Sequence, residues 1–264
     1  MPSLFFDAHL HIIDPRFPIS KNQGFLPDPY TVDDYRHALA DLETLVTPVG
    51  GAIVSGSFQG FDQSYLLDAL EILNAVEVQE ARGSQYVGVT QIPYDYPDTG
   101  IMSLHRQGVR AVRFNLRRGG SESADHIEVL SRRVYDLAGW HVEFYIDAAE
   151  LDDALIERLR GLPQIVVDHL GLSEAGLPAL LRLVEGGARV KATGFHRGDL
   201  NWLAAMRQIH AVNPDALMFG TDLPGTRAPV PFQRADLERV LDAFAEDVLE
   251  RILYENARTL YRLG

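Results

Sequence analysis

Eight short apolar, β-branched runs separated by segments of helical periodicity predict an α/β chain folded as a single (β/α)8, or TIM, barrel over residues 1–264. The length agrees, because 264 residues, 46% of them hydrophobic, bury one sizeable core and match the roughly 250 residues typical of this fold. No Ser/Pro/Gly linker tract or low-complexity segment interrupts the pattern, so no internal boundary is expected.

In order, the expected strands are Leu4–His9, Gly51–Ser57, Tyr86–Ile92, Val109–Asn115, His141–Ile146, Ile165–His169, Val190–Thr193 and Leu217–Thr221, spaced by about 33 residues, the length of one βαβ unit. Between them, Leu66, Leu67, Leu70 and Leu73, or Leu200, Leu203, Met206 and Ile209, recur as on one helix face. Thr31 followed by Asp34 reads as a capping box, and Asp199 reads as an N-cap. The third unit is the least regular, since turn-rich Asp95–Thr99 leaves room only for a short helix before Gln107. Two closing helical stretches follow the last strand, Phe232–Phe244 and Asp247–Leu263.

With 24 basic against 37 acidic side chains the formal charge is −13, which excludes a protein-wide attraction to nucleic acid or to an anionic membrane. The absence of cysteine excludes disulfides, thiolate ligands and a cysteine nucleophile. The opening MPSLFFDAHLHII lacks a basic n-region and a cleavage site, and no apolar run approaches about 18 residues. The expectation is a soluble cytoplasmic protein, monomeric or a small homo-oligomer, acting on a small molecule.

In this fold the reactive groups stand at the carboxyl ends of the strands and in the loops that follow. The first strand ends in Asp7-Ala8-His9-Leu10-His11, where a period of two sends His9 and His11 the same way. The fourth ends in Arg113-Phe114-Asn115, followed by Arg117 and Arg118; the fifth carries Tyr145 and Asp147; the sixth ends in Asp168-His169. His196 and Arg197 follow the seventh strand, and Thr221-Asp222 ends the eighth. Each has an ordinary explanation alone: a satisfied strand-end histidine, Arg113 as a barrel-layer ion-pair partner, Arg117 and Arg118 as solvated loop residues. Their coincidence at one mouth points to a site. His37, His105, His126, His141 and His210 fall on predicted helices or their edges and receive no role.

Ester or lactone hydrolysis needs an activated water, charge stabilisation at the carbonyl oxygen and a proton for the leaving group. Asp222 is the natural base, and His9, His11 and His169 can polarise the carbonyl as donors or as ligands of a metal. No G-x-S-x-G elbow occurs, which disfavours a covalent serine route. Arg113, Arg197 and Arg117 or Arg118 at one rim of an acidic protein imply a small anionic substrate, because guanidinium forks suit carboxylates.

These residues lie in the segments DAHLHIIDPRFP, GVRAVRFNL, GWHVEFYIDAAEL, VVDHLG, VKATGFHR, FGTDLP and ENARTLY, through which the chain resembles the amidohydrolase-related family, and within it the 2-pyrone-4,6-dicarboxylate lactonases. The resemblance implies an amidohydrolase-type barrel that hydrolyses a small carboxylated lactone. His9, His11, His169 and Asp222 would surround the scissile carbonyl and the attacking water, while Arg113, Arg197 and Tyr145 would hold carboxylates. It also implies that no cofactor is required, because the lactonase works without metal. The chain departs from the pattern at Phe25, where lactonases have tyrosine, and at Gly225, where they have histidine. In the RRGG loop a second substrate arginine of the family is replaced by Arg117 or Arg118, shifted in register.

Other readings stay open at this stage. His9, His11, His169 and Asp222 are also a ligand set for one Zn2+ or Mn2+, as in a metal-dependent amidohydrolase or a non-oxidative decarboxylase of the same superfamily. Metal-dependent relatives place another ligand near the fifth strand, where this chain offers Tyr145. A binuclear centre would need a bridging lysine or glutamate on a middle strand, and Arg113, Asn115 and Tyr145 stand at those strand ends instead. A non-catalytic barrel that binds an organic anion would require loss of the aspartate or a histidine. A phosphate-binding barrel would want a Gly-rich loop late in the chain, for which Gly220 and Gly225 are too sparse.

Overall fold

The computed structural model describes residues 3–77 and 85–263. All eight expected strands form: β1 (Ser3–Leu10), β2 (Val46–Val54), β3 (Gln85–Thr90), β4 (Val109–Asn115), β5 (His141–Tyr145), β6 (Ile165–Val167), β7 (Arg189–Ala192) and β8 (Leu217–Phe219). They pair in parallel in chain order. The seam between β8 and β1 is drawn together just past β8, where Asp222 N–H donates to the His9 carbonyl (2.7 Å) and His11 N–H to the Leu223 carbonyl (2.8 Å). A buried carboxylate reinforces it: Asp7 accepts from Thr221 N–H (2.8 Å) and from the Thr221 hydroxyl (2.6 Å).

Between the strands lie α1 (Val32–Ala40), α2 (Ser64–Glu77), α3 (Asp98–Arg106), α4 (Ile127–Ala138), α5 (Asp153–Arg160), α6 (Leu177–Glu185), α7 (Trp202–Val212) and α8 (Arg234–Ala243). The Thr31/Asp34 capping box is present, and α3 is the expected short helix of nine residues. Asp199 is not the cap of α7. Asn201 takes that place, its side chain accepting from Ala204 N–H three residues on, while Asp199 accepts from Glu174 N–H and ties two loops together. The last stretch is not one helix either, because a π-helical turn at Arg251–Glu255 divides it into α9 (Glu246–Glu250) and α10 (Asn256–Tyr261). Among the described residues no helix is long and apolar enough to cross a membrane.

Strand alternation splits the core in two. Val112, Phe114, Val142, Phe144, Val190 and Phe219 pack outward under the helices, and Phe6, Ala8, Val54, Val87, Val89, Val166 and Met218 pack inward. Leu260, Tyr261 and Leu263 join the inner cluster. The inner parity continues up the strands into charged positions, and these build the site.

Candidate active site

Arg113, Glu143, Tyr145, Asp168 and Lys191 share the inward parity of β4, β5, β6 and β7, and all are buried. In the middle of the barrel, Lys191 Nζ lies 2.5 Å from Glu143 Oε2, while Glu143 Oε1 accepts from the Tyr261 hydroxyl (2.9 Å) and faces His141 Nε2 (3.1 Å). His141 is thus a buried inward residue of β5 and not a helix-edge histidine. Glu143 is a glutamate on a middle strand, but it lies below the strand ends considered for a bridging ligand and its negative charge is matched by Lys191. Burial would raise the Glu143 carboxyl, but Lys191 and then His141 bring it below the usual range.

Beside this pair Arg113, which stands opposite Glu143 in the β4–β5 register, grips Asp168 through Nε (2.9 Å) and Nη2 (2.8 Å) and donates through Nη1 to the Ser55 carbonyl (3.0 Å). Asp168 is held ionised below its ordinary value by Arg113 and Lys191 against the opposing effect of burial. Its other oxygen, Oδ1, faces His9 Nδ1 at 3.4 Å.

At the mouth the four predicted residues converge. His9 Nε2 lies 3.8 Å and His11 Nε2 3.5 Å from Asp222 Oδ1, and the His169 ring centre is 4.9 Å from that of His9. Simple alternation is not what aims both histidines here, because the β1–β2 ladder shifts register between Asp7 and Leu10 and His11 lies just past the strand. His169 and Asp222 both adopt left-handed backbone (φ 53° and 59°), a conformation costly for residues with a Cβ and tolerated where the surroundings fix it. β6 and β8 end before these turns, two residues short of the expected boundaries.

The electrostatics separate the carboxylate from the imidazoles. Burial pushes His9 well below its usual value, with Lys191 next in effect, and lowers His169 to about 3, so both imidazoles are neutral near pH 7. Asp222 behaves oppositely: burial would raise it, but Arg197, and after it His169, holds the carboxyl well below the usual range. The close partner is Arg197 Nε, 2.6 Å from Asp222 Oδ2. His11 Nδ1 must donate to the Val54 carbonyl at 2.7 Å. Its Nε2 therefore meets a carboxylate oxygen in a contact that needs a proton, a water molecule or a cation between the two atoms. Both His9 ring nitrogens, His169 Nδ1 and Asp222 Oδ1 are buried without a hydrogen-bond partner.

These orphaned atoms define where a ligand belongs. His9, His169 and Asp222 offer donor atoms within 4.8 Å of one another, and with His11 they form an N3O set whose chemistry fits one Zn2+ or Mn2+. His9, Glu143 and Asp168 are similarly close, but Lys191 and Arg113 already neutralise that pair of carboxylates.

Of the arginines expected at the rim, Arg113, Arg118 and Arg197 line the cleft above these atoms, with His11, Asn115, Tyr145 and His169. Tyr145 stacks edge-on to His169 (5.0 Å between centres) and lies beneath the Arg113 guanidinium (5.3 Å). Arg117 points elsewhere, pairing with Asp147 at 3.1 Å, and His196 is taken by Asp236 at 3.0 Å. Arg227, also in the cleft, was not foreseen from the sequence. Glu143 and Lys191 were missed as well, although charges of opposite sign at inward positions of two short apolar strands were the available signal.

The amidohydrolase family model matches residues 6–263. A 2-pyrone-4,6-dicarboxylate hydrolase of Comamonas testosteroni is 26% identical over 257 residues, covering 94% of this chain and 76% of that one. Among solved structures, an Agrobacterium tumefaciens protein superposes with a TM-score of 0.81 at 22% identity, over 100% of this chain and 97% of its own. A Pseudomonas putida protein provisionally assigned as a 2-pyrone-4,6-dicarboxylic acid hydrolase gives 0.78 at 25% identity, over 100% and 99%.

Proposed function

Because the chain belongs to the amidohydrolase family, we propose that this hydrolase opens a small carboxylated lactone, similar to 2-pyrone-4,6-dicarboxylate, with water activated by Asp222. The observation that carries the reading is a buried, ionised carboxylate with one oxygen unpartnered among neutral imidazoles and the other on an arginine. Asp222 Oδ1 takes a proton from water as its oxygen bonds to the lactone carbonyl carbon. On this reading neutral His9 and His169 donate N–H groups to the developing oxyanion, and the guanidiniums of Arg197 and Arg113 supply positive charge. Collapse breaks the ring C–O bond, and Asp222 returns its proton to the departing oxygen. Arg197 keeps Asp222 ionised at the expense of its basicity, and a substrate carboxylate drawing on the same guanidinium loosens that hold.

The same four residues would hold a divalent ion, which would polarise the carbonyl and acidify the attacking water. Arg197 already meets Asp222 at 2.6 Å, and Lys191 and Arg113 lie behind it, so positive charge is in place. We assign hydrolysis to the side chains alone. The test is a screen of neutral, mono- and dicarboxylated lactones with metal analysis of the purified protein. A dicarboxylated lactone is expected to be opened, at a rate unchanged by chelation. Activity that a chelator abolishes and one equivalent of zinc per chain restores would make His9, His11 and Asp222 ligands. Decarboxylation of an aromatic acid without lactone turnover would move the protein to the lyases, and tight anion binding without any turnover would make it a binding barrel.

A further inference from the structure

One of the unpartnered atoms at the mouth lies on the protein side of its ring. His169 Nδ1, buried and without a hydrogen-bond partner, is set against the loop after β7, where a Cβ on Gly194 would stand 2.6 Å from it and 2.8 Å from Arg197 Cδ. Only glycine, here left-handed (φ 62°), lets that loop come so near both side chains. Nε2 is then the nitrogen that remains for the cleft, which His169 also lines.

Behind the ring is a second cavity, which shares no lining residue but His169 with the cleft. Thr193 lines it too, and Leu170, Leu172, Phe195, Leu200 and the Trp202 ring make up most of the remaining wall, with no charged side chain among them. The neighbouring parallel strands set the two polar residues at one height: Val167 pairs with Val190, His169 stands two residues past the end of β6, and Thr193 directly follows β7. Thr193 Oγ1 is buried without a hydrogen-bond partner, as Nδ1 is. The space open to the centre of a water molecule is about 10 Å3, room for one. Cavities that stay dry are apolar throughout, whereas two unsatisfied polar atoms on one small wall hold a buried water.

A neutral imidazole has one N–H and one lone pair, and the partner at one nitrogen decides the role left to the other. To donate to an oxyanion from Nε2, His169 must keep its lone pair on Nδ1, and a lone pair facing an apolar wall is stabilised by a donor. A water held by the Thr193 hydroxyl supplies one O–H for that purpose. We propose that one ordered water, held by Thr193 and hydrogen-bonded to His169 Nδ1, keeps the imidazole proton on Nε2 at the cleft, which makes Thr193 a positioning residue for the oxyanion donor. What the donor acts on rests on the lactonase reading; how the donor is set rests on the cavity.

Nitrogen-15 NMR of histidine-labelled protein near pH 7, with the His169 signals identified by their loss in His169→Asn, reads the tautomer directly, and kcat and KM on carboxylated lactones are measured in parallel. In wild type Nε2 should be protonated, and Nδ1 should resonate as a lone pair that accepts a hydrogen bond. Thr193→Val, of nearly the same shape, leaves the water one partner, so Nδ1 should move to the position of a free lone pair and kcat should fall roughly ten- to hundredfold with KM unchanged, the usual cost of removing a group that orients an active-site histidine. Thr193→Ser keeps the hydroxyl and should restore both. A wild-type His169 protonated on Nδ1, or a Thr193→Val protein that unfolds as cooperatively as wild type and whose Nδ1 signal does not move, would overturn the bridge. A Thr193→Ser protein as impaired as Thr193→Val would overturn it as well, by assigning the effect to packing. Signals that behave as expected in a protein that opens no lactone would end the lactonase reading and leave the bridge standing. Lactone turnover with the same kcat and the same Nδ1 signal in Thr193→Val would do the reverse.

Discussion

Two charged layers sit one above the other in this barrel and are put to different use. In the lower layer each charge meets an opposite one: Lys191 with Glu143, Arg113 with Asp168. In the upper layer both nitrogens of His9, Nδ1 of His169 and Oδ1 of Asp222 are just as buried and have no hydrogen-bond partner, a condition that the lower layer shares at His141 Nδ1 and at Asp168 Oδ1. A satisfied buried pair fixes packing, whereas an unsatisfied buried group costs free energy that an ordered water, an ion or a ligand recovers. Asp168 joins the layers, with Oδ2 on Arg113 and Oδ1 turned up to His9. The contrast says that substitutions above should damage chemistry and substitutions below should damage stability.

The largest effect is expected above. Asp222→Asn keeps the shape of the side chain and removes its ability to accept a proton, so turnover should fall by about 10²–10⁴, the range for a positioned general base. Binding of an inert dicarboxylate should survive, and the unfolding midpoint should move little. A variant that loses binding and turnover together would show that Asp222 organises the mouth and does not act as the base.

Below, the expected loss is of stability. Lys191→Met leaves Glu143 buried with its main counter-charge gone, which should cost about 3–5 kcal/mol in denaturant unfolding at constant m. Adding Glu143→Leu should recover most of that loss, because an apolar pair of similar volume has no unpaired charge to bury. Measured per folded molecule, turnover of the double variant should fall far less than that of Asp222→Asn. If the single variant is as stable as wild type, the lower layer is not what holds the barrel together.

The same contrast explains what the sequence made legible. Barrel and strands were readable because apolar runs and helical spacing are local patterns, and the mouth residues because strand ends are where this fold exposes chemistry. The lower layer escaped because Glu143 and Lys191 are 48 residues apart and show their complementarity only once β5 and β7 are curled into one barrel. Arg227 escaped for a related reason: its place depends on the Asn22–Phe25 turn, which lies 205 residues from it in the chain. Arg117 and Arg118 were equivalent on paper, and loop geometry alone turns Arg118 inward and gives Arg117 to Asp147.

The smallest effect separates the two buried Arg–Asp pairs. Arg113 spends Nε and both Nη groups on Asp168 and the Ser55 carbonyl, so it belongs largely to the lower layer. Arg197 spends Nε on Asp222 and lines the cleft, so it has donors left for a substrate. Arg197→Ala should therefore cost roughly 1.5–3 kcal/mol of transition-state binding on carboxylated lactones, the size of a charge-assisted hydrogen bond, and much less on neutral ones. The pH profile supplies the sign. As the proposed base Asp222 would have to be ionised to act, and Arg197 is the main influence holding its carboxyl well below the usual range. Without Arg197 that carboxyl rises, so the acid limb of kcat/KM should move to higher pH while the base becomes stronger above it. Equal losses on neutral and anionic lactones, with an unmoved acid limb, would place Arg197 with Arg113 among the structural pairs.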